Sequence, residues 1–112
     1  MDIVTGNNKI ILQEDSIAPF TIERVGDKII LQEYFKILRM GLVSATWLLD
    51  AFKDVKAQYY REEQALVHNG QIILKVVCEV GYIYIFGPKI RFNMNGDVAV
   101  KLRDSLTLLL NK

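Results

Sequence analysis

Twice along this chain the spacing of apolar residues changes from every second position to every third or fourth, so sheet and helix must alternate in blocks. The first extended block holds Lys9–Gln13, Phe20–Val25 and the long stretch Lys28–Arg39. A polar Glu14-Asp15-Ser16 loop separates the first two, and Gly26-Asp27 is a two-residue hairpin connection leading into the third. Lys28–Arg39 reads as one bent strand or two short ones. Helical spacing then takes over across residues 44–57. Ser44 can cap the first turn, Trp47, Leu48, Ala51, Phe52 and Val55 share a stripe, and Asp50, Lys53 and Asp54 lie opposite.

Extended spacing resumes at Gln58–Arg61 and Ala65–His68, and Asn69-Gly70 is the strongest hairpin turn in the chain. Gln71–Val80 alternates, with Ile72, Leu74, Val76, Cys78 and Val80 pointing one way. Turns at Gly81 and Gly87-Pro88 then set off Tyr82–Phe86 and Lys89–Met94, completing a meander of three strands. Asn95-Gly96-Asp97 opens a second helix over residues 97–110, with Val98, Leu102, Leu106 and Leu109 on one stripe. The expected fold is therefore α+β, with two antiparallel sheets and two helices in two strand-plus-helix halves. The repeat is one of pattern only, each half covering about half of the 112 residues.

A chain that is 51% hydrophobic and 24% charged, with 7 Gly and 2 Pro, holds enough apolar material for one core, so a single domain over residues 1–112 is expected. Disorder and a collagen-like fibre are excluded. No basic leader followed by an apolar run opens the sequence, and the apolar runs are too short to span a bilayer. The single cysteine, Cys78, cannot form an internal disulfide, and the single histidine, His68, cannot complete a zinc site with one thiol. A reducing, cytoplasm-like compartment and no metal or cofactor are the expectations.

The net charge of +1 falls far short of the basic excess of proteins that coat nucleic acid, so any such site must come from local segregation of charge. The last three strands offer one. With Ile72, Leu74, Val76, Cys78, Ile83, Ile85, Ile90, Phe92 and Met94 packed under the helices, the other face carries Lys75, Tyr82, Tyr84, Phe86, Lys89 and Arg91. Tyr59, Tyr60 and Arg61 could extend it. Rings that stack on bases beside cations that neutralise phosphates are what a binder of single-stranded DNA or RNA requires. Two other readings fit the same residues. Tyr and Phe stabilise sheets through cross-strand pairs without any ligand, while Ile73, Val77, Tyr82 and Phe86 form an apolar patch of the kind that marks contacts between subunits. A homo-oligomer, dimer or tetramer, is expected on either functional reading.

Nothing in the chain points to catalysis. His68 sits at a hairpin turn, Cys78 faces the core, and Glu14-Asp15 and Glu62-Glu63 occupy loop-like stretches with no partner at a defined spacing. No GxxxxGK spacing occurs. The expected protein is not an enzyme.

The element order, with a meander ending in Lys89–Met94 and a closing helix through Leu110, resembles the Whirly fold of single-stranded DNA-binding proteins and the related kinetoplastid guide-RNA-binding proteins. The resemblance is one of architecture over most of the chain. It implies strand-plus-helix halves packed together, frequent tetramers, and nucleic-acid binding on sheet surfaces. The lysine-rich Lys-Gly-Lys-Ala-Ala-Leu signature of plant Whirly proteins does not occur here. Leu42–Lys53 is locally similar to the last strand and helix of a BRCT domain, where a tryptophan follows a capping serine. Residues 1–41 read as strands and hairpins instead of the preceding helices and parallel sheet of that domain, which leaves Trp47 as a core residue of an amphipathic helix.

Overall fold

The computed structural model describes residues 3–5, 8–13, 19–52, 62–79 and 81–111. Five strands, β1 (Ile3–Thr5), β2 (Lys9–Gln13), β3 (Phe20–Val25), β4 (Lys28–Glu33) and β5 (Lys36–Gly41), run directly into helix α1 (Leu42–Phe52). Four more, β6 (Glu62–His68), β7 (Gln71–Glu79), β8 (Tyr82–Gly87) and β9 (Ile90–Asn95), run into α2 (Gly96–Leu110). Each set is an antiparallel meander in which sequence neighbours are sheet neighbours, so the α+β class with two antiparallel sheets and two helices is as expected.

Each sheet turns one face inward. Ile22, Leu31 and Leu38 are aligned across β3, β4 and β5, while Ile83 and Met94, and Ile85 and Phe92, are aligned across β8 and β9, and all are buried. The Phe20 and Phe92 rings meet 5.5 Å apart at 44°, one from each sheet, in a tilted pair that joins the layers. Both helices pack against both sheets. Helix α1 lies on β4 and β5 but also on β6 and β7, α2 lies on β8 and β9 but also on β2 and β3, and the helices touch each other. Each half therefore lends its helix to the other half's sheet. The sheets also meet directly, through β5 and β9. Beside them, at the end of β8, Gly87 lets the layers approach closely, because a Cβ on it would lie 2.8 Å from Leu38 Cδ1.

Side chains tie the ends of α2. Asn95 Oδ1 accepts from the Val98 amide at 3.0 Å, an N-cap, and the Arg24 guanidinium donates from Nη1 to the Leu109 carbonyl at 2.8 Å. Arg24 Nε also donates to the Gly26 carbonyl at 2.9 Å, so one side chain closes the β3–β4 hairpin and holds the C-terminal turn of α2.

The structure corrects several local expectations. Helix α1 begins at Leu42, making Ser44 its third residue rather than its cap, because β5 passes into the helix without an intervening loop. Residues 53–57, expected to continue the helix, lie outside the described residues. The Lys28–Arg39 stretch is two strands, turned at Tyr34-Phe35 with Tyr34 at φ 58°. The register slips between Leu66 and Val67, where Leu66 faces Leu74 but Val67 faces Ile72, so Ile73 is the extra residue of a bulge. The slip puts Ile72, expected in the core, at 58% exposure, while Ile73 packs half-buried against the core. Asn69-Gly70 makes the expected tight turn, both residues having positive φ.

Candidate nucleic-acid interface

Strand register assembles the outward face of the second sheet into rows. Lys75, Phe86 and Arg91 lie side by side on β7, β8 and β9; Val77, Tyr84 and Asn93 form the next row; Glu79, Tyr82 and Asn95 the third. Four of the seven residues expected at this site, Lys75, Tyr82, Tyr84 and Arg91, are thus brought together. Lys89 sits beside them in the β8–β9 turn at φ 63°, not in the strand, because the chain must reverse between Gly87 and Ile90. Tyr59 and Arg61 lie outside the described residues.

The first row is linked through Lys75. Its ammonium is 5.2 Å from the centre of the Phe86 ring and 3.8 Å from Glu63 Oε1 on the adjoining strand. Lys75 is therefore already engaged and stiffens the row. Arg91 and Lys89 are exposed and pair with no carboxylate among the described residues, which leaves them as the cations available to a phosphate. Val77, Glu79, Tyr84, Phe86 and Arg91 line a shallow depression of about 260 Å³. Its floor is closed. Val77, expected as part of an exposed apolar patch, is only 2% accessible beneath these neighbours. What faces solvent is parts of the Tyr84 and Phe86 rings, a guanidinium, a carboxylate and, at 55% exposure, Tyr82.

Cys78 points away from this face into the core, at 7% exposure. Burial pushes its thiol pKa up, and the nearby Glu62 carboxylate adds to the shift, so the thiolate needed for nucleophilic chemistry is disfavoured. His68 is exposed at the β6–β7 turn.

Reading the sequence alone missed an aromatic pair at the other sheet. Tyr34 and Phe35 form the β4–β5 turn with ring centres 4.1 Å apart, and Phe35 is 83% exposed. No turn-forming residue signals it. The available clue was the length of the Lys28–Arg39 run, which is long for one strand. No protein-family model, curated protein or solved structure matches the chain. No helix among the described residues is long and apolar enough to cross a membrane.

Proposed function

We propose that this protein binds single-stranded nucleic acid, without catalysis, on the outward face of β7, β8 and β9. The observation that carries the reading is the alignment of Lys75, Phe86 and Arg91 beside Val77, Tyr84 and Asn93, which sets two half-buried rings and an exposed guanidinium around one shallow depression. Bases stack on Tyr84 and Phe86, with Tyr82 available at the end of the strand. Arg91 and Lys89 meet the phosphates, and Asn93 offers an amide to base edges. Each stacked base contributes about 1–3 kcal/mol, enough for two or three rings to compensate for a near-neutral chain.

The test is titration of fluorescent single-stranded DNA and RNA at two salt concentrations. Two phosphate-binding cations imply a small counterion release, with log K falling against log salt at a slope of about −1.4. Tyr84→Ala/Arg91→Ala should abolish binding while leaving the core intact. Absence of wild-type binding at low salt overturns the reading.

The second reading is a protein-assembly module that does not bind nucleic acid, and one observation favours it. Strand β6 is an edge strand exposed along almost its whole length, and at its end Val67 (56% exposed) faces Ile72 (58% exposed). An open edge with an apolar pair invites a second copy of the chain, giving a dimer that can pair again. The oligonucleotide titration distinguishes the two, and light scattering tests the contact: Val67→Lys/Ile72→Lys should reduce the mass to 12.8 kDa if this arm joins protomers.

A further inference from the structure

We propose that β6 pairs antiparallel with β6 of a second copy of this chain about a two-fold axis at Ala65, so that Glu62 of each copy faces His68 of the other. This rests on the open edge named in the assembly reading and adds the register and the charged pair that sets it. It holds whether or not the sheet face binds nucleic acid.

The edge itself comes first. β6, Glu62–His68, pairs with β7 on one side and ends its sheet on the other. Along the free side alternate N–H and C=O groups turn away from β7, a row of donors and acceptors that a second strand can complete. Every side chain of the strand is exposed except Leu66, which is half-buried. Its middle, Gln64-Ala65-Leu66-Val67, carries no proline and no charge, the usual guards of an edge. Charge is confined to the ends, with Glu62 and Glu63 at the start and His68 at the close.

That asymmetry selects the partner. A parallel copy in register would set each glutamate beside its own equivalent, whereas an antiparallel copy brings the acidic end to the histidine. Opposed residues must also point to the same face, so a symmetric pair sharing one sheet is centred on a residue. Centred on Ala65, all seven residues pair: Glu62 faces His68 of the second copy, Glu63 faces Val67, and Gln64 faces Leu66. Centred on Gln64, the glutamates face Leu66 and Ala65; centred on Leu66, they overhang the Asn69-Gly70 turn. Only the Ala65 register joins opposite ends, and an imidazole N–H can donate to the carboxylate in either charge state. Neither Glu62 nor His68 has an ion-pair partner among the described residues, so neither gives one up. The two Glu62–His68 pairs stand about 20 Å apart along the strand, well beyond the screening length of about 8 Å, so the glutamates of the two copies do not oppose the contact. Glu63, held by Lys75 at 3.8 Å, lays its carbon stem against Val67 of the second copy, which is 56% exposed in the single chain. Seven residues a side fall short of the 20–30 of a stable interface, so the dimer dissociates on dilution.

Light scattering over a dilution series reads the dimer dissociation constant, with wild type at tens of micromolar approaching twice 12.8 kDa. His68→Glu should weaken the dimer about tenfold, because the symmetric contact contains the altered pair twice. Glu62→Lys/His68→Glu should restore it. Glu63→Lys/His68→Glu should not, since Glu63 faces Val67. Both altered ends are exposed, so circular dichroism should be unchanged throughout. Failure of Glu62→Lys to rescue His68→Glu, or equal rescue by Glu63→Lys, overturns the register. If Val67→Lys/Ile72→Lys lowers the mass while His68→Glu leaves it unchanged, copies join through the hairpin end and this pairing is wrong although the assembly contact stands. A wild type that stays at 12.8 kDa overturns both.

Discussion

Gly87→Ala tests the claim that the two sheets meet on a glycine. Without a steric conflict, replacing a strand glycine by alanine stabilises a protein by about 0.5–1 kcal/mol, because the unfolded chain loses freedom. At Gly87 the new methyl would sit 2.8 Å from Leu38 Cδ1 and 3.0 Å from Ile90 Cγ2, where ordinary contact begins at 3.4 Å. Leu38 is 6% exposed and packed in the core, so it cannot swing aside without displacing its neighbours. Overpacking of this kind costs about 1–3 kcal/mol. The net expectation is a loss of about 1 kcal/mol, or roughly 4 °C in Tm for a chain of this length.

The background Leu38→Ala reverses the sign. That substitution alone should cost about 2–5 kcal/mol by opening a cavity, and the methyl introduced at position 87 then enters freed space, so Gly87→Ala should stabilise the Leu38→Ala protein by about 1 kcal/mol. Urea denaturation of the four proteins gives the coupling, expected at about 2 kcal/mol. Gly41→Ala serves as the control, since nothing lies within 4 Å of its Cβ position, and it should be neutral or stabilising. Additivity of the two substitutions within about 0.5 kcal/mol would refute the contact.

Three further outcomes follow from single side chains. Arg24→Met should cost about 2–3 kcal/mol, because it removes a charged donor from the Leu109 and Gly26 carbonyls together, and hydrogen exchange should show the last turn of α2 opening first. Ser105→Ala should raise the urea midpoint, with a gain of about 1 kcal/mol or more and an unchanged m-value, since the buried Ser105 Oγ has no hydrogen-bond partner among the described residues and alanine is the better helix former. Cys78 should react slowly with a thiol reagent in the native state and rapidly in urea. Its raised pKa favours the neutral thiol on folding, so that contribution is complete below pH 9.0, the ordinary thiol value, and is lost as pH rises beyond it, a slope that Cys78→Val should remove.

Local chemistry already legible in the sequence accounts for much of the architecture. Alternation in Tyr82–Phe86 and Ile90–Met94 places Ile83, Ile85, Phe92 and Met94 inward and Tyr82, Tyr84 and Arg91 outward, because a strand has only two faces and the apolar set must occupy the buried one. Asn69-Gly70 and Gly26-Asp27 turn as expected, since left-handed backbone costs glycine nothing. Asn95 is legible as a cap for the same local reason.

The remainder depends on contacts distant in sequence. Val77 alternates onto the outward face, yet it is covered by the rings and long side chains of its neighbours, and coverage is not a property of its own strand. Ile72 leaves the core through a bulge at Ile73, which arises from the pairing of β6 with β7. Tyr34-Phe35 has the composition of a strand; the pairing of Glu33 with Lys36 and Leu31 with Leu38 folds it into a turn, because closing that ladder buries Leu31 and Leu38 together. The sequence by itself determines the order and type of elements and most of the inward faces, through periodicity and turn chemistry. Tertiary structure alone decides that each helix serves both sheets and that β5 meets β9 beside Gly87, because these depend on which surfaces exclude water together.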